Sequence, residues 1–396
     1  MLIAGEASGD QLAAELVAAL RERSPGAEFF GAGGARMAAA GVELAFDLTQ
    51  LSVIGITDVL KNLWTFRQRF NELLALAIKR QPDVVIGVDY GGFNLRFGQA
   101  VKAYVRGNPF SQWDPKIVQF ISPQVWASRP GRADKLARDY DLLLSIFPFE
   151  REWYAKRAPK LRVEFVGHPM IGRFANDDLH AASRQPRTQT ESGKRKAESG
   201  NQTEPAQIGG TRSKILLLPG SRKGELQRHL PVMLAALKII QEKIPAAKAK
   251  MVLPNPGLMT LAKSLGAEVE IQIGELPWAL AEADVALAST GTVTMECAFF
   301  GVPTVTLYKT SWLTYQIARR IVTVKSLTMP NLLAGAPVYP EFIQQAATPE
   351  NLSRAALELL QDETLRARIQ LQLAQIIASL GTPGAAGRAA NAILSL

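Results

Sequence analysis

At 396 residues, with 47% apolar and 20% charged residues, the chain is too long for one ordinary core and has the composition of a soluble globular protein of about two domains. Lysine plus arginine at 45 against aspartate plus glutamate at 36 leaves +9, which favours anionic partners such as phosphates or acidic lipid. No aromatic and basic interleaving and no helix-turn-helix signal points to nucleic acid, and a single cysteine, Cys297, excludes an intrachain disulfide or a cysteine-built zinc site and fits a reducing cytoplasm.

The chain opens on "MLIAGEASGD", where Glu6 interrupts the apolar run before a signal peptide or membrane anchor could form. It reads instead as a strand entering a helix through Gly5, Ser8, Gly9 and Asp10. With two carboxylates that entry suits a hydroxylated substrate better than a phosphate. "DVLKNLWTFRQRF" (58–70) then places Leu60, Leu63, Trp64, Phe66 and Phe70 among Lys61, Arg67 and Arg69. On a helix this is an apolar face fringed with positive charge, the pattern of a helix lying in an anionic membrane surface or of a core helix with snorkelling basic residues. No uncharged apolar run is long enough to span a bilayer.

"PDVVIGVDYGGFN" puts Asp89 at the carboxyl end of a buried strand, where a carboxylate can accept a proton from an attacking hydroxyl or simply cap the next turn. Further apolar runs follow in "KIVQFIS", "DLLLSIF" and "RVEFVG", the last leading to His168, read as a buried structural histidine with a catalytic role kept open. Asp177 to Arg212 is polar, mixed in charge and almost free of large apolar residues, the composition of a linker or inserted loop.

After it the alternation resumes with "KILLLPGS", "KAKMVLP", "VEIQIG", "DVALAST" and "VPTVTLY". Continuous apolar strands, each followed by a helix-length segment, imply parallel sheets covered on both faces, so the expected class is α/β, built twice. In such sheets ligands sit beyond the carboxyl ends of the strands. "LPGSRKGE" offers Gly220, Ser221 and Arg222, whose planar guanidinium could clamp a phosphate. "STGTVTMEC" offers a second entry, with Ser289 or Thr290 as helix cap, and Thr290, Gly291 and Thr292 at the positive end of the helix dipole. Glu296 lies one turn further, on the face of Thr292, placed to accept from ribose hydroxyls or to point to water. "TMPNLLAGAPVYPEFIQQ" adds Asn331 and Glu341, each just after a proline. No Walker "GxxxxGK[ST]" run is present, which disfavours a Mg-ATP phosphotransferase. From Pro349 the chain reads as helix.

Ten motifs in order, "AGEASGD", "GAGGARMAAAG", "LSVIGITDVL", "GVDYGGFN", "ISPQVWASRPGR", "FPFEREWY", "FVGHPM", "LPGSRKGE", "STGTVTME" and "PNLLAGAPVYPEFIQ", resemble the lipid-A-disaccharide synthases over nearly the whole chain outside the polar insert. The resemblance implies an inverting glycosyltransferase of the GT-B fold, two Rossmann-like domains facing a central cleft. Residues 1–175 would form the acceptor domain, 176–213 the insert, 214–365 the UDP-sugar domain, and 366–396 C-terminal helices returning to the first domain. It implies transfer from UDP-2,3-diacylglucosamine to 2,3-diacylglucosamine 1-phosphate, giving a β-1,6-linked disaccharide phosphate and UDP, without metal or cofactor, at the inner face of the bacterial inner membrane. Asp89 matches the family's candidate base, Arg222 its pyrophosphate-contacting arginine, Glu296 its acidic residue in the nucleotide site and Asn331 the asparagine of its PNLL motif. Ser221, Thr290, Gly291 and Thr292 complete the expected nucleotide site. The 58–70 stretch matches its membrane-facing segment; a homodimer is left open, and no nucleic acid is expected.

Gly91 and Gly92 stand where the family has a proline and an acidic residue, which predicts a less rigid loop around Asp89. Ser128 replaces a second tryptophan, and the first strand is short at Met1. A UDP-sugar 2-epimerase of the same plan is the alternative enzyme, and a non-catalytic lipid- or nucleic-acid-binding protein the alternative of another class.

Overall fold

The computed structural model describes residues 1–52, 56–175 and 213–396. It divides into two compact units, one of Met1–Arg173, Ile321–Thr323 and Ser379–Leu396, the other of Phe174–Arg320 and Val324–Ala378. Residues 366–378 thus stay with the second unit, and only the chain from Ser379 returns to the first. All of the expected 176–213 insert except Ser213 lies outside the described residues.

In the first unit, strands β1 (Leu2–Ala4), β2 (Phe30–Gly33), β3 (Glu43–Asp47), β4 (Val84–Val88), β5 (Lys116–Phe120), β6 (Leu142–Ser145) and β7 (Val163–Phe165) form one sheet in the order β3-β2-β1-β4-β5-β6-β7. Every pair is parallel, and the inner strands are buried throughout most of their length because helices cover both faces. Ile3, Val85, Ile117 and Leu143 share one core with Leu73 and Ala77 of helix Ile56–Arg80 and Phe97 and Val101 of helix Gly91–Gly107. The returning helix Ala385–Leu394 lies against helix Ala7–Arg23, where Arg23 Nε donates to Asn391 Oδ1 at 2.7 Å.

The second unit repeats the plan. Strands β8 (Lys214–Leu218), β9 (Lys248–Leu253), β10 (Glu270–Ile273), β11 (Val285–Ser289), β12 (Thr304–Tyr308) and β13 (Glu341–Ile343) run parallel in the order β10-β9-β8-β11-β12-β13. Helix Lys223–Lys243 buries Leu226, Leu230, Met233, Leu237 and Ile240, spaced three and four apart as one helix face requires. Burial of each such side chain contributes about 2 kcal/mol.

Three strands escape the sequence reading. Phe30–Gly33 is "FGAG", with no β-branched residue, and it is extended because β1 lies close enough that a β-carbon on Gly31 would stand 1.8 Å from the Leu2 carbonyl oxygen. Glu43–Asp47 and Glu341–Ile343 end their sheets, and neither is a continuous apolar run. In each sheet the order reverses once, between β1 and β4 and between β8 and β11, and ligands of doubly wound sheets bind beyond the strand ends at such a point.

Candidate active site

The two turns predicted to hold a nucleotide leave neighbouring strands at the second reversal, since Leu218 of β8 pairs with Ala288 of β11. Gly220 takes φ +120°, and a β-carbon there would meet Glu225 Oε2 at 2.5 Å. The glycine makes room for that carboxylate, which folds back to accept the Ser221 N–H at 3.0 Å. Arg222 is the extended residue before helix Lys223–Lys243, with its side chain 74% exposed and Nη1 3.9 Å from Glu225 Oε1. Glu225 therefore fixes the turn and leaves the guanidinium in solvent. Sequence reasoning missed it, though an acidic residue three positions after the helix cap is a recognisable signal.

His229, one turn further, is buried. Its Nδ1 lies 2.9 Å from the Pro219 carbonyl and its Nε2 accepts the Lys309 N–H at 3.0 Å, which assigns the proton to Nδ1. Burial holds its pKa below the usual histidine range, so it stays neutral. It ties the end of β8 to the chain leaving β12, on either side of the β11 turn.

The β11 turn differs from expectation. Ser289 is the last residue of the strand, paired with Leu307, and Thr290 donates its N–H to the Leu307 carbonyl at 3.1 Å. Neither caps the helix, because the ladder holds both. The cap position falls to Thr292, with no side-chain bond, and helix Val293–Phe299 begins there. Thr294 Oγ1 donates to the Gly291 carbonyl at 2.7 Å and closes the turn. Gly291 and Thr292 are exposed, and Glu296 is half-buried one turn along.

Asn331 is also reassigned. Its Oδ1 accepts the N–H groups of Val338 and Tyr339, both at 2.8 Å, and its Nδ2 donates to the Tyr339 carbonyl and to Glu341 Oε1, both at 2.8 Å. Two donors and two acceptances satisfy the whole amide, which is buried. Glu341 in turn accepts the N–H groups of Leu327 and Thr328 at 2.9 Å. The asparagine locks the 327–341 loop and has no amide group to spare for a nucleotide.

At the first reversal, Ala4 of β1 pairs with Val88 of β4, and Asp89 follows at once. Asp89 and Tyr90 both adopt left-handed backbone, φ +49° and +45°, strained for residues with side chains. The Tyr90 ring covers Gly5, where a β-carbon would come within 2.3 Å of it. Burial first, and then the charge of Glu6, hold the Asp89 carboxyl above the usual aspartate range.

Gly91 and Gly92 belong to the helix that follows Asp89 and Tyr90. They are the first residues of helix Gly91–Gly107, and a β-carbon on Gly91 would stand 2.8 Å from Pro123 Cβ, so the glycine permits close packing. Asp10 leaves the candidate list, because it is buried and accepts the N–H groups of Gly34, Arg36 and Met37 at 2.7, 3.0 and 3.1 Å. Of the opening carboxylates only Glu6 stays beside Asp89. His168 accepts the Met170 N–H at Nδ1, lies against Phe147, and is pushed down to about 4 mainly by burial, which fits the structural reading.

Sequence reasoning also missed Glu150, wholly buried at the third position of helix Pro148–Arg157. Its Oε1 accepts Trp126 Nε1–H at 2.9 Å, and burial pushes its pKa up to about 7 against the bonds from Trp126 and Ser122. It anchors the "SPQVWAS" segment, whose Pro123 abuts Gly91.

In helix Ile56–Arg80 the side chains of Leu60 and Leu63 lie outside the described residues. Trp64 is 84% exposed, Arg67 is exposed and Phe66 half-buried. Phe70 is half-buried, and its ring packs edge-on to Phe93 and Phe97 against the core, at 5.3 and 5.6 Å. Among the described residues no helix is long and apolar enough to cross a membrane.

Two doubly wound parallel sheets, each with its candidate residues where the strand order reverses, give the chain the GT-B fold. Solved structures share that fold. MurG of Acinetobacter baumannii superposes with TM-score 0.55 at 14% identity, over 100% of this chain and 99% of that one. A UDP-GlcNAc 2-epimerase from Neisseria meningitidis gives 0.58 at 11%, over 100% and 99%. Transferases and epimerases thus share the architecture, and sequence separates them. The chain belongs to the lipid-A-disaccharide synthetase family, whose model matches residues 1–393. Relatives named lipid-A-disaccharide synthase include those of Syntrophus aciditrophicus, 36% identical over 404 residues, and Alkalilimnicola ehrlichii, 35% identical over 400; each alignment covers 100% of this chain and 97% of the relative.

Proposed function

We infer that this glycosyltransferase moves 2,3-diacylglucosamine from UDP-2,3-diacylglucosamine to 2,3-diacylglucosamine 1-phosphate, releasing UDP and a β-1,6-linked disaccharide 1-phosphate. Asp89 takes the proton of the acceptor hydroxyl as its oxygen attacks the anomeric carbon on the face opposite the nucleotide. The bond from that carbon to the diphosphate oxygen breaks, and the electron pair leaves with UDP. Arg222, the backbone of the Ser221 turn and the turn of Thr290, Gly291 and Thr292 receive the growing diphosphate charge. Glu296 accepts from the ribose hydroxyls, and Asn331 acts only by holding its loop.

What carries the reading is the pairing of Leu218 with Ala288: it sets an exposed arginine turn beside an exposed glycine turn at one strand reversal. The raised pKa of Asp89 supports a base, since a more basic carboxylate takes a proton more readily. The protein works at the inner face of the bacterial inner membrane, with Trp64 and Arg67 on the lipid surface. The test is UDP release from the diacylated donor. It should depend on the acceptor, and release without acceptor, or an epimerised donor, contradicts the proposal. Asp89→Asn should lower kcat by about 10²- to 10⁴-fold while sparing UDP affinity, and normal turnover removes Asp89 as the base.

A further inference from the structure

Two buried amides with no role in the account so far converge on one backbone atom. Asn94 is 2% exposed and Gln119 0%. Asn94 Nδ2 donates to the Asp89 carbonyl at 2.8 Å, and Gln119 Nε2 donates to the same oxygen at 2.9 Å. Their other donor contacts are longer, to Val88 and Ile3 carbonyls at 3.4 and 3.5 Å and to Phe120 and Ile121 carbonyls at 3.3 and 3.2 Å. Asn94 Oδ1 and Gln119 Oε1 are buried and have no hydrogen-bond partner.

An unpaired buried acceptor is costly, so an amide normally turns to satisfy its oxygen. Turning either one here would set its oxygen against the Asp89 carbonyl, acceptor against acceptor. That carbonyl, the nearest acceptor of both, and the more distant carbonyls around it therefore hold both orientations. Gly87 makes the room: a β-carbon there would stand 2.7 Å from Gln119 Oε1 and 2.8 Å from Asn94 Cβ. The residue so gripped is the first of the two left-handed residues, and its N–H is bound to the Phe120 carbonyl at 2.9 Å. Strain of this kind persists only where the surroundings over-determine the backbone.

We propose that Asn94 and Gln119 are positioning residues of the transfer reaction, jointly clamping the Asp89 carbonyl so that the strained Asp89–Tyr90 pair holds the Asp89 carboxylate in its working orientation. This rests on the reading of Asp89 as the base. The unpaired oxygens are then the cost of fixing one backbone group from two sides.

The test uses Asn94→Leu and Gln119→Met, singly and together, in the full chain. Each single variant leaves the carbonyl one donor and should lower kcat several-fold; the double variant leaves none and should lose on the order of a hundredfold, as expected for a misplaced reacting group. KM should stay within about twofold and UDP affinity should not change. The melting temperature of each single variant should hold within about 4 °C, because the apolar replacements also remove unpaired oxygens. The acid limb of the kcat profile should move to lower pH in the double variant, as Asp89 gains water and loses the burial that raises its pKa. Glu6 and Tyr90 are the titratable neighbours of Asp89, and both remain in place. Parental kcat and acid limb in the double variant, alongside an inactive Asp89→Asn, overturn the clamp and keep the base. Active Asp89→Asn removes the base and the clamp with it. Loss of kcat that tracks a loss of folded protein, with the acid limb unmoved, assigns the amides to stability alone and overturns the proposal.

Discussion

Glu150→Gln tests whether a buried carboxyl in the first unit is held neutral by its surroundings. The ordinary glutamate value of 4.5 rises to about 7 here because burial disfavours the charge, and the bonds from Trp126 and Ser122 recover only part of the loss. A rise of that size corresponds to roughly 3 kcal/mol of difference between folded and unfolded chains. Between pH 4.5 and about 7 the folded protein keeps a proton that the unfolded chain has released, so stability falls as pH rises through this window and levels off above it. The substituted glutamine cannot ionise, yet its amide oxygen can still accept from Trp126. The variant should lose that slope, matching the parent near pH 5 and exceeding it near pH 8 by up to roughly 3 kcal/mol. Scanning calorimetry of the full chain at several pH values, following the transition of the first unit, measures it. The comparison concerns slopes, so any constant offset from the 3.4 Å contact between Phe147 N–H and Glu150 Oε2 cancels. Parallel pH profiles for parent and variant would refute the reasoning.

Three further outcomes follow from the second unit and the exposed helix. Arg222→Ala should weaken UDP binding by about 10- to 100-fold, the range for one lost charge-assisted bond, and unchanged affinity in calorimetry contradicts its assignment. Asn331→Leu strips four bonds from buried groups and should destabilise the second unit by about 3 kcal/mol or more, while an unshifted melting transition would show that the loop stands without it. Arg67→Ser should reduce sedimentation with anionic vesicles and leave the weak association with neutral ones little changed, and equal loss on both would remove the electrostatic part of that contact.

Much of this was legible in the residues. Apolar runs alternating with helical stretches gave two parallel α/β sheets, because a strand buried on both faces can carry few polar side chains. The Gly220 turn was legible for a similar reason, since strand, glycine and helix follow one another within a few residues. The missed strands lie where that local signal fails: "FGAG" is extended only because β1 lies against it.

The errors share a cause. Asn331 read as a free donor and acceptor because its partners, Val338, Tyr339 and Glu341, are chosen by the fold of a loop. Helix Ile56–Arg80 read as either membrane-facing or core because periodicity gives a helix an apolar face without naming what lies against it, and Phe70 packs against Phe93 and Phe97. Glu150 and His229 drew no notice at all, since burial is the largest influence on their protonation and burial is not written in neighbouring residues.

The sequence by itself determined the fold class, the family and the Gly220 turn into its helix, all of which depend on residues close along the chain. Only the tertiary structure decided which polar groups are already satisfied and which remain for chemistry. A hydrogen bond is settled between atoms a few ångströms apart, and those at Asp89 come from Asn94 and from Gln119, thirty residues away.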